Sequence, residues 1–367
     1  MTDFDTMCGH HGFRSCPIIG GLNPYIEWFR SLVQPRIDVG KIDGKPMRLE
    51  IGFVDDPTYN AWACTSQDGV DFIGINAGVI EILPSLYRAL LSHPQVFSEI
   101  LTPNIVPKIS PYQGNVADFW SAEKLPADVP LDDPAREKFA QQLAQETLLY
   151  IFFHEFAHIY NGHTLLDPDV SMMSEVEHKS SNRMDKLTEQ TLEYDADSSA
   201  VQNLLAYVLR PMVDSSKLPS RWKLPDETPF GSISSSVKFA LMCIQTNHLM
   251  SSKLSEIFNA SSLYNSHPPD LIRQIYTLST VQAQLTLRAG YSSTDAISLT
   301  IPGISAAVGG FRQCFGIDSS YVVADSNSIP KKFDEFSHLY KLRWQKIHPV
   351  LEKKKRGGFL APATPYV

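Results

Sequence analysis

The sequence predicts an α+β chain that is mainly helical, with a small N-terminal antiparallel sheet and a pair of long helices carrying ionisable side chains. Three observations lead there. Between Pro46 and Asn76, three short segments rich in Ile, Val, Phe and Trp are separated by turn residues, the pattern of strands. From Pro134 through His158 the pattern is continuously helix-favouring. A second long helical pattern, "MDKLTEQTLEYDADSSAVQNLLAYVLR", starts at Met184.

Residues 1–22 are rich in Gly, Cys and His without periodicity and are expected to form a tail or an irregular cap. A short amphipathic helix is expected from Pro24 to Val33, then a strand in "PMRLEIGFVDD". "YNAWACTS" and "VDFIGIN" read as two further strands around the turn "QDG". "AGVIEILPSLYRALLS" is helical, with Pro84 as an interruption. Residues 93–134 hold many prolines and little periodicity; an insertion of that length is expected to be functional or mobile, and could form a wall or lid over a cleft. Asp133 and Pro134 supply the cap and first position of the next helix, and Gly162 its stop signal. A polar linker over 167–182 leads to the second helix, which Pro211 ends. A Pro/Ser loop, two more helices ("ISSSVKFALMCIQTNHLMSSKLSEIF" and "PPDLIRQIYTLSTVQAQLTLR"), a Gly/Ser-rich segment and a last helix from Lys331 to Lys354 complete the chain.

The 367 residues are 43% hydrophobic, ample for one large core. A net charge of -8 argues against a nucleic-acid binder, which would show a basic stripe. The one dense basic run, "EKKKRGG" at 352–358, reads as the solvated end of the last helix. The five cysteines, Cys8, Cys16, Cys64, Cys243 and Cys314, are odd in number and widely spaced, so no disulfide framework is expected. The first residues lack the basic and apolar regions of a secretory signal, and no apolar run reaches the ~20 residues that span a bilayer. A cytoplasmic location is the default expectation.

The chemistry concentrates in "HEFAHIYNGH", His154 to His163. Residues four apart on a helix share a face, so His154 and His158 can aim at one metal ion. Glu155, rotated by about 100°, flanks that ion. In HExxH this arrangement gives two zinc ligands and a general base. The plainer reading is two hydrogen-bonded core histidines. A catalytic zinc takes three protein ligands and keeps one open position. In "LEYDADSSA", Glu193 can complete the set and Asp197, one turn on, can orient a ligand histidine. The plainer reading there is a solvated acidic face, against which stands the apolar run "AVQNLLAYVL" that follows directly.

Together "HEFAHIYNGH" and "EYDAD" resemble HExxHxxxxH plus ExxxD of the gluzincin metallopeptidases related to the heat-shock protease HtpX and the CaaX prenyl protease. "YNAWACTSQDGVDFIGINAGVIEIL" is similar to that family's upstream strand pair, and "NSHPPDLIRQIY" to its downstream element; the four span roughly 47–280. The resemblance implies a zincin-like catalytic domain over 23–290, between the tail of 1–22 and a C-terminal helical extension over 291–367. It implies one zinc ion (Zn2+) per chain on His154, His158 and Glu193, with Glu155 as base and Asp197 orienting a ligand. His163 matches the family's extra histidine, as a packing or supporting residue. His267 and Arg273 match the downstream element, to stabilise an oxyanion or brace the carboxylates; the plainer reading of His267 is a helix start before Pro268. His267 is the first choice of oxyanion donor, with Tyr264 and Tyr276 as alternatives. A protein or peptide substrate would add as a strand along Asn60, Ala61, Trp62 and Ala63. Many family members are membrane-embedded, and no spanning segment is expected here.

Two other readings remain open. One is a non-catalytic zinc-binding interaction protein, against which Glu155 speaks. The other is a dedicated protease with a single target, like the phage-exclusion protein Lit. The N-terminal "CGHHGFRSC" adds Cys8, His10, His11 and Cys16; beside the plain tail stands the sharper option that Cys8 reaches the zinc as an inhibitory ligand.

Overall fold

A computed structural model describes residues 3–10, 22–42, 44–98, 110–126, 129, 131–166, 172–174, 186–213, 232–251, 270–316, 328–358 and 360–361. The chain is mostly helical with a small sheet, an α+β architecture. The sheet is mixed, however, and not antiparallel throughout. Strands β3 (Arg48–Val54), β4 (Ala61–Thr65), β5 (Val70–Asn76) and β6 (Met172–Ser174) lie in the order β3-β5-β4-β6. β4 and β5 form the expected hairpin, whose turn places Gly69 at φ +80°. The loop after β3 carries the chain past the position that β5 later fills. β5 therefore returns between its two predecessors and runs parallel to β3. A separate two-stranded ribbon joins β1 (Lys41–Ile42) and β2 (Lys45–Pro46).

Side-chain alternation divides the sheet into two covered faces. Ile51, Phe53, Ala61, Ala63, Ile73 and Ile75 join the main core, with helices α3 (Gly78–Leu91) and α4 (Pro134–Tyr160). On the other face, Val54, Trp62, Cys64, Val70 and Phe72 pack with Phe4 and Cys8 of helix α1 (Asp3–His10). Phe4 stacks on Trp62 at 6.0 Å and 8°. A Cβ at Gly52 would lie 2.4 Å from the Phe4 ring, so only glycine admits this cap. The N-terminal residues 3–10 are thus a helical lid on the sheet rather than a tail.

Helix α4 is the axis of the molecule. Asp133 caps it, Oδ1 accepting from the Ala135 amide at 2.9 Å, and Pro134 fills its first turn. It stops at Asn161, where Gly162 takes φ +81°. Every residue from Thr147 to Ile159 is buried, because α3, α5 (Lys186–Val213), α6 (Ile233–Ser251) and β4 surround the helix. Helix α2 (Asn23–Ile37) adds Phe29, whose ring stacks on Phe152 of α4 at 4.4 Å.

Some elements differ from expectation. α2 continues past Val33 through Pro35, and α3 runs unbroken through Pro84. In α3 the buried Ile82, Leu83, Leu86 and Leu90 each contribute ~1.5–3 kcal/mol, which outweighs a proline cost of ~3 kcal/mol. Within the expected 93–134 insertion, Val116 and Phe119 enter the main core and Ser121 bridges to Thr58. The buried Arg136 guanidinium donates to the carbonyls of Leu91, His93, Val96 and Phe97. The described part of this stretch is therefore packed into the core. The Gly/Ser-rich segment forms helix α8 (Ser293–Phe315), started by Ser292, whose hydroxyl accepts from the Asp295 amide. Gly303 lets α8 approach α6 so closely that a Cβ would lie 2.2 Å from the Lys238 carbonyl oxygen. Ala296, Ile304, Ala307 and Phe311 of α8 belong to the main core, so position 290 does not divide the packing.

The last helix, α9 (Ser328–Lys354), docks on α5 and ends in the basic run. That run is solvated only in part: Glu352 and Lys353 are exposed, but Arg356 is not. Arg356 is buried and donates to Asp71 from Nε at 2.8 Å and from a terminal nitrogen at 2.5 Å. Its backbone amide donates to the Tyr160 carbonyl, so the chain's end is tied to the end of α4. No described helix is long and apolar enough to cross a membrane.

One buried group carries a pH prediction. The Glu146 Oε2 atom is sealed from solvent with no hydrogen-bond partner among the described residues, and burial pushes the carboxyl up to about 8. A carboxyl whose folded value is raised favours the folded state at low pH and opposes it as pH climbs towards that value. Glu146→Gln is therefore expected to be more stable than wild type, by a margin that grows between about pH 4.5 and 8. Urea unfolding at several pH values checks this; a margin that is flat or shrinks with pH contradicts it.

Candidate metal centre

His154, His158 and Glu193 meet because α4 and α5 lie side by side, each presenting residues one turn apart to the other. His154 Nε2 lies 3.2 Å from Glu193 Oε2, and His158 Nε2 lies 3.3 Å from Glu193 Oε1. The two Nε2 atoms are 3.0 Å apart. The three side chains are 1%, 1% and 3% exposed. They form a buried group able to hold a metal ion. An ion with bonds of about 2.0–2.2 Å in tetrahedral array sets its ligands about 3.3–3.6 Å apart; the two histidine nitrogens, at 3.0 Å, stand close to that spacing, and the ligand atoms of all three residues lie within 4.8 Å of one another. Glu155, 1% exposed, follows His154 on the same helix.

Each histidine is held from behind. His154 Nδ1 lies 3.0 Å from Asp197 Oδ1. Arg273 of helix α7 (Asp270–Ala289) clamps that carboxylate with two hydrogen bonds of 2.8 Å. Tyr150 adds a third donor at 2.9 Å and its hydroxyl also meets His248 Nε2 at 3.0 Å. Burial alone would push the Asp197 carboxyl up, but Arg273, His154 and His248 hold it well below the usual carboxylate range. Burial also pulls His248 down to about 4, so it stays neutral beside Arg273. On the other side, His158 Nδ1 faces His163 Nδ1 at 3.1 Å, and His163 Nε2 lies 3.1 Å from Asp195 Oδ2. Burial draws His158 well below the usual histidine range, against the pull of Glu193, so it is neutral and able to act as a ligand.

The expected supporting residues Asp197, Arg273 and His163 are therefore all brought to the centre. His267 and Tyr264 lie outside the described residues. Tyr276 packs against Tyr194 and Tyr340, with ring centroids 4.0 and 6.0 Å away, and burial pushes its hydroxyl up, so it stays protonated. Cys8 is buried under Trp62 and Cys64 on the sheet face opposite the one that meets α4, so it is not an inhibitory ligand. The outer edge of β4, expected to take substrate at Asn60, Ala61, Trp62 and Ala63, is paired with the chain's own β6 from Trp62 to Cys64.

Sequence reading missed Tyr150, His248, Asp195 and Asn161. Tyr150 had a usable signal, since it stands one turn before His154 on the same face. Asp195 had none, because its role depends on where Gly162 turns the chain. No family model matches the chain, and no curated protein or solved structure matches it. The gluzincin likeness thus rests on the sequence motifs alone.

Proposed function

We propose that the chain is a zinc-dependent endopeptidase with a zincin-like arrangement of α4 and α5, acting on a protein or peptide substrate. The observation that carries this is the convergence of His154, His158 and Glu193 within 3.0–3.3 Å, with Glu155 beside them. Two imidazoles and one carboxylate in a buried setting suit zinc better than harder cations, which prefer all-oxygen sites. A zinc ion held there supplies Lewis acidity towards a carbonyl and acidifies water.

The chain's own residues do the rest. His154, His158 and Glu193 fix the ion's place. Glu155 accepts a proton from water and delivers it to the leaving amine. Asp197, clamped by Arg273, holds the His154 ring so that Nε2 faces the site. Tyr150 and His248 hold that carboxylate in turn without adding charge.

The pairing of β6 with β4 favours a narrow substrate range, as in the dedicated-protease reading, because an extended peptide does not meet an open edge there. The test is digestion of a cell lysate by wild type, with and without a zinc chelator, followed by N-terminal peptide profiling. Chelator-sensitive new N-termini are expected, few in number if the target is dedicated. A lysate with no chelator-sensitive cleavage contradicts the proposal.

A further inference from the structure

We propose that His163 and Asp195 are positioning residues for the metal centre, acting as a relay that fixes the proton of His158 on Nδ1. The inference rests on the metal reading above and extends it to two residues with no ligand role.

His158 turns Nε2 towards His154 and Glu193, at 3.0 and 3.3 Å. For Nε2 to offer a lone pair to an ion, the ring's one proton must sit on Nδ1. Nδ1 of His158 faces Nδ1 of His163 at 3.1 Å. Two nitrogens at that distance share one proton, since two protons would collide and two lone pairs would repel. His163 Nδ1 is then the acceptor. Its own proton lies on Nε2, 3.1 Å from the acceptor Asp195 Oδ2. That carboxylate is held by Asn161, whose Nδ2 donates to Oδ2 at 2.6 Å and lies 3.1 Å from the Ser199 hydroxyl. Every proton in the chain Asp195–His163–His158 has one place consistent with metal binding.

The backbone makes this possible. Gly162, at φ +81°, turns the chain just past α4 so that His163 folds back over His158, five residues away. A Cβ at Gly162 would lie 2.8 Å from the Lys354 carbonyl carbon, so a side chain there would force the turn open. The two ligand histidines thus differ in their support. His154 meets a carboxylate directly, and His158 meets one through an imidazole.

The experiment measures zinc affinity by competition with a chromophoric chelator for wild type, His163→Leu and His163→Asn. Thermal unfolding of each zinc-free protein is measured alongside. Leucine removes the acceptor, whereas the asparagine carbonyl oxygen stands near the place of Nδ1. His163→Leu is expected to bind zinc about 10–100-fold more weakly, with the zinc-free protein nearly as stable as zinc-free wild type. His163→Asn is expected to recover most of the loss. In wild type, 15N-histidine NMR should show His163 protonated on Nε2 and bare on Nδ1. Wild-type affinity in His163→Leu overturns the relay alone, as does an equal loss in the asparagine variant. A wild type that takes up no zinc overturns the metal reading and the relay with it.

Discussion

Glu155→Gln is expected to keep its metal and lose peptidase activity by about 10²–10⁴-fold, the range for removing a positioned general base. The substitution preserves shape, and Glu155 is not among the three converging ligands. Glutamine cannot take a proton from water at neutral pH, so the step that makes the nucleophile is lost while binding is kept. The residue is 1% exposed, which makes its carboxylate costly to bury and gives it little purpose as a surface charge. Zinc content, substrate KM and kcat measured together decide the point. The expected pattern is unchanged zinc, a nearly unchanged KM and a collapsed kcat. A variant that cleaves at the wild-type rate removes Glu155 from the chemistry.

Arg356→Met is expected to destabilise the fold by about 3–5 kcal/mol, the cost of stranding one partner of a buried ion pair. Arg356 and Asp71 are both 0% exposed at the side chain, and the pair closes the junction between the sheet, the end of α4 and the chain's C-terminal segment. Thr65 bonds to the same Asp71 oxygen at 2.7 Å and to Thr164 at 2.6 Å, so the loss would spread towards the turn that carries His163. The double variant Asp71→Leu, Arg356→Met should recover much of the loss, because two apolar groups leave no charge behind. Urea denaturation of the three proteins tests this. An Arg356→Met protein as stable as wild type shows that the pair contributes nothing.

The parts of this structure written in local pattern were legible. The cap at Asp133, the stop at Gly162, the β4–β5 hairpin and the one-turn spacing of His154 and His158 each depend on residues within a few positions of one another. The parts fixed by distant packing were not. The Gly/Ser-rich segment became α8 because Gly303 faces the backbone of α6, a reason visible only once α6 is beside it. Its start signal was nevertheless present, in the Ser292 cap. The parallel pairing of β3 with β5 follows from where a loop crosses, which strand pattern does not record. Arg356 looked like a solvated basic end because its partner, Asp71, is 285 residues away. At the centre, the candidate ligands and the two-residue brace of Asp197 and Arg273 could be read from the motifs, whereas Tyr150, His248 and Asp195 needed three helices and a turn in place.

The central claim is that His154, His158 and Glu193 form one zinc site, and elemental analysis of the purified chain tests it most directly. Wild type and the double variant His154→Ala, His158→Ala are dialysed against zinc and then against buffer, and metal per chain is measured by mass spectrometry. One zinc per wild-type chain is expected and none retained by the double variant, with Glu155→Gln still holding one. Equal zinc in wild type and double variant, or none in wild type, would contradict it.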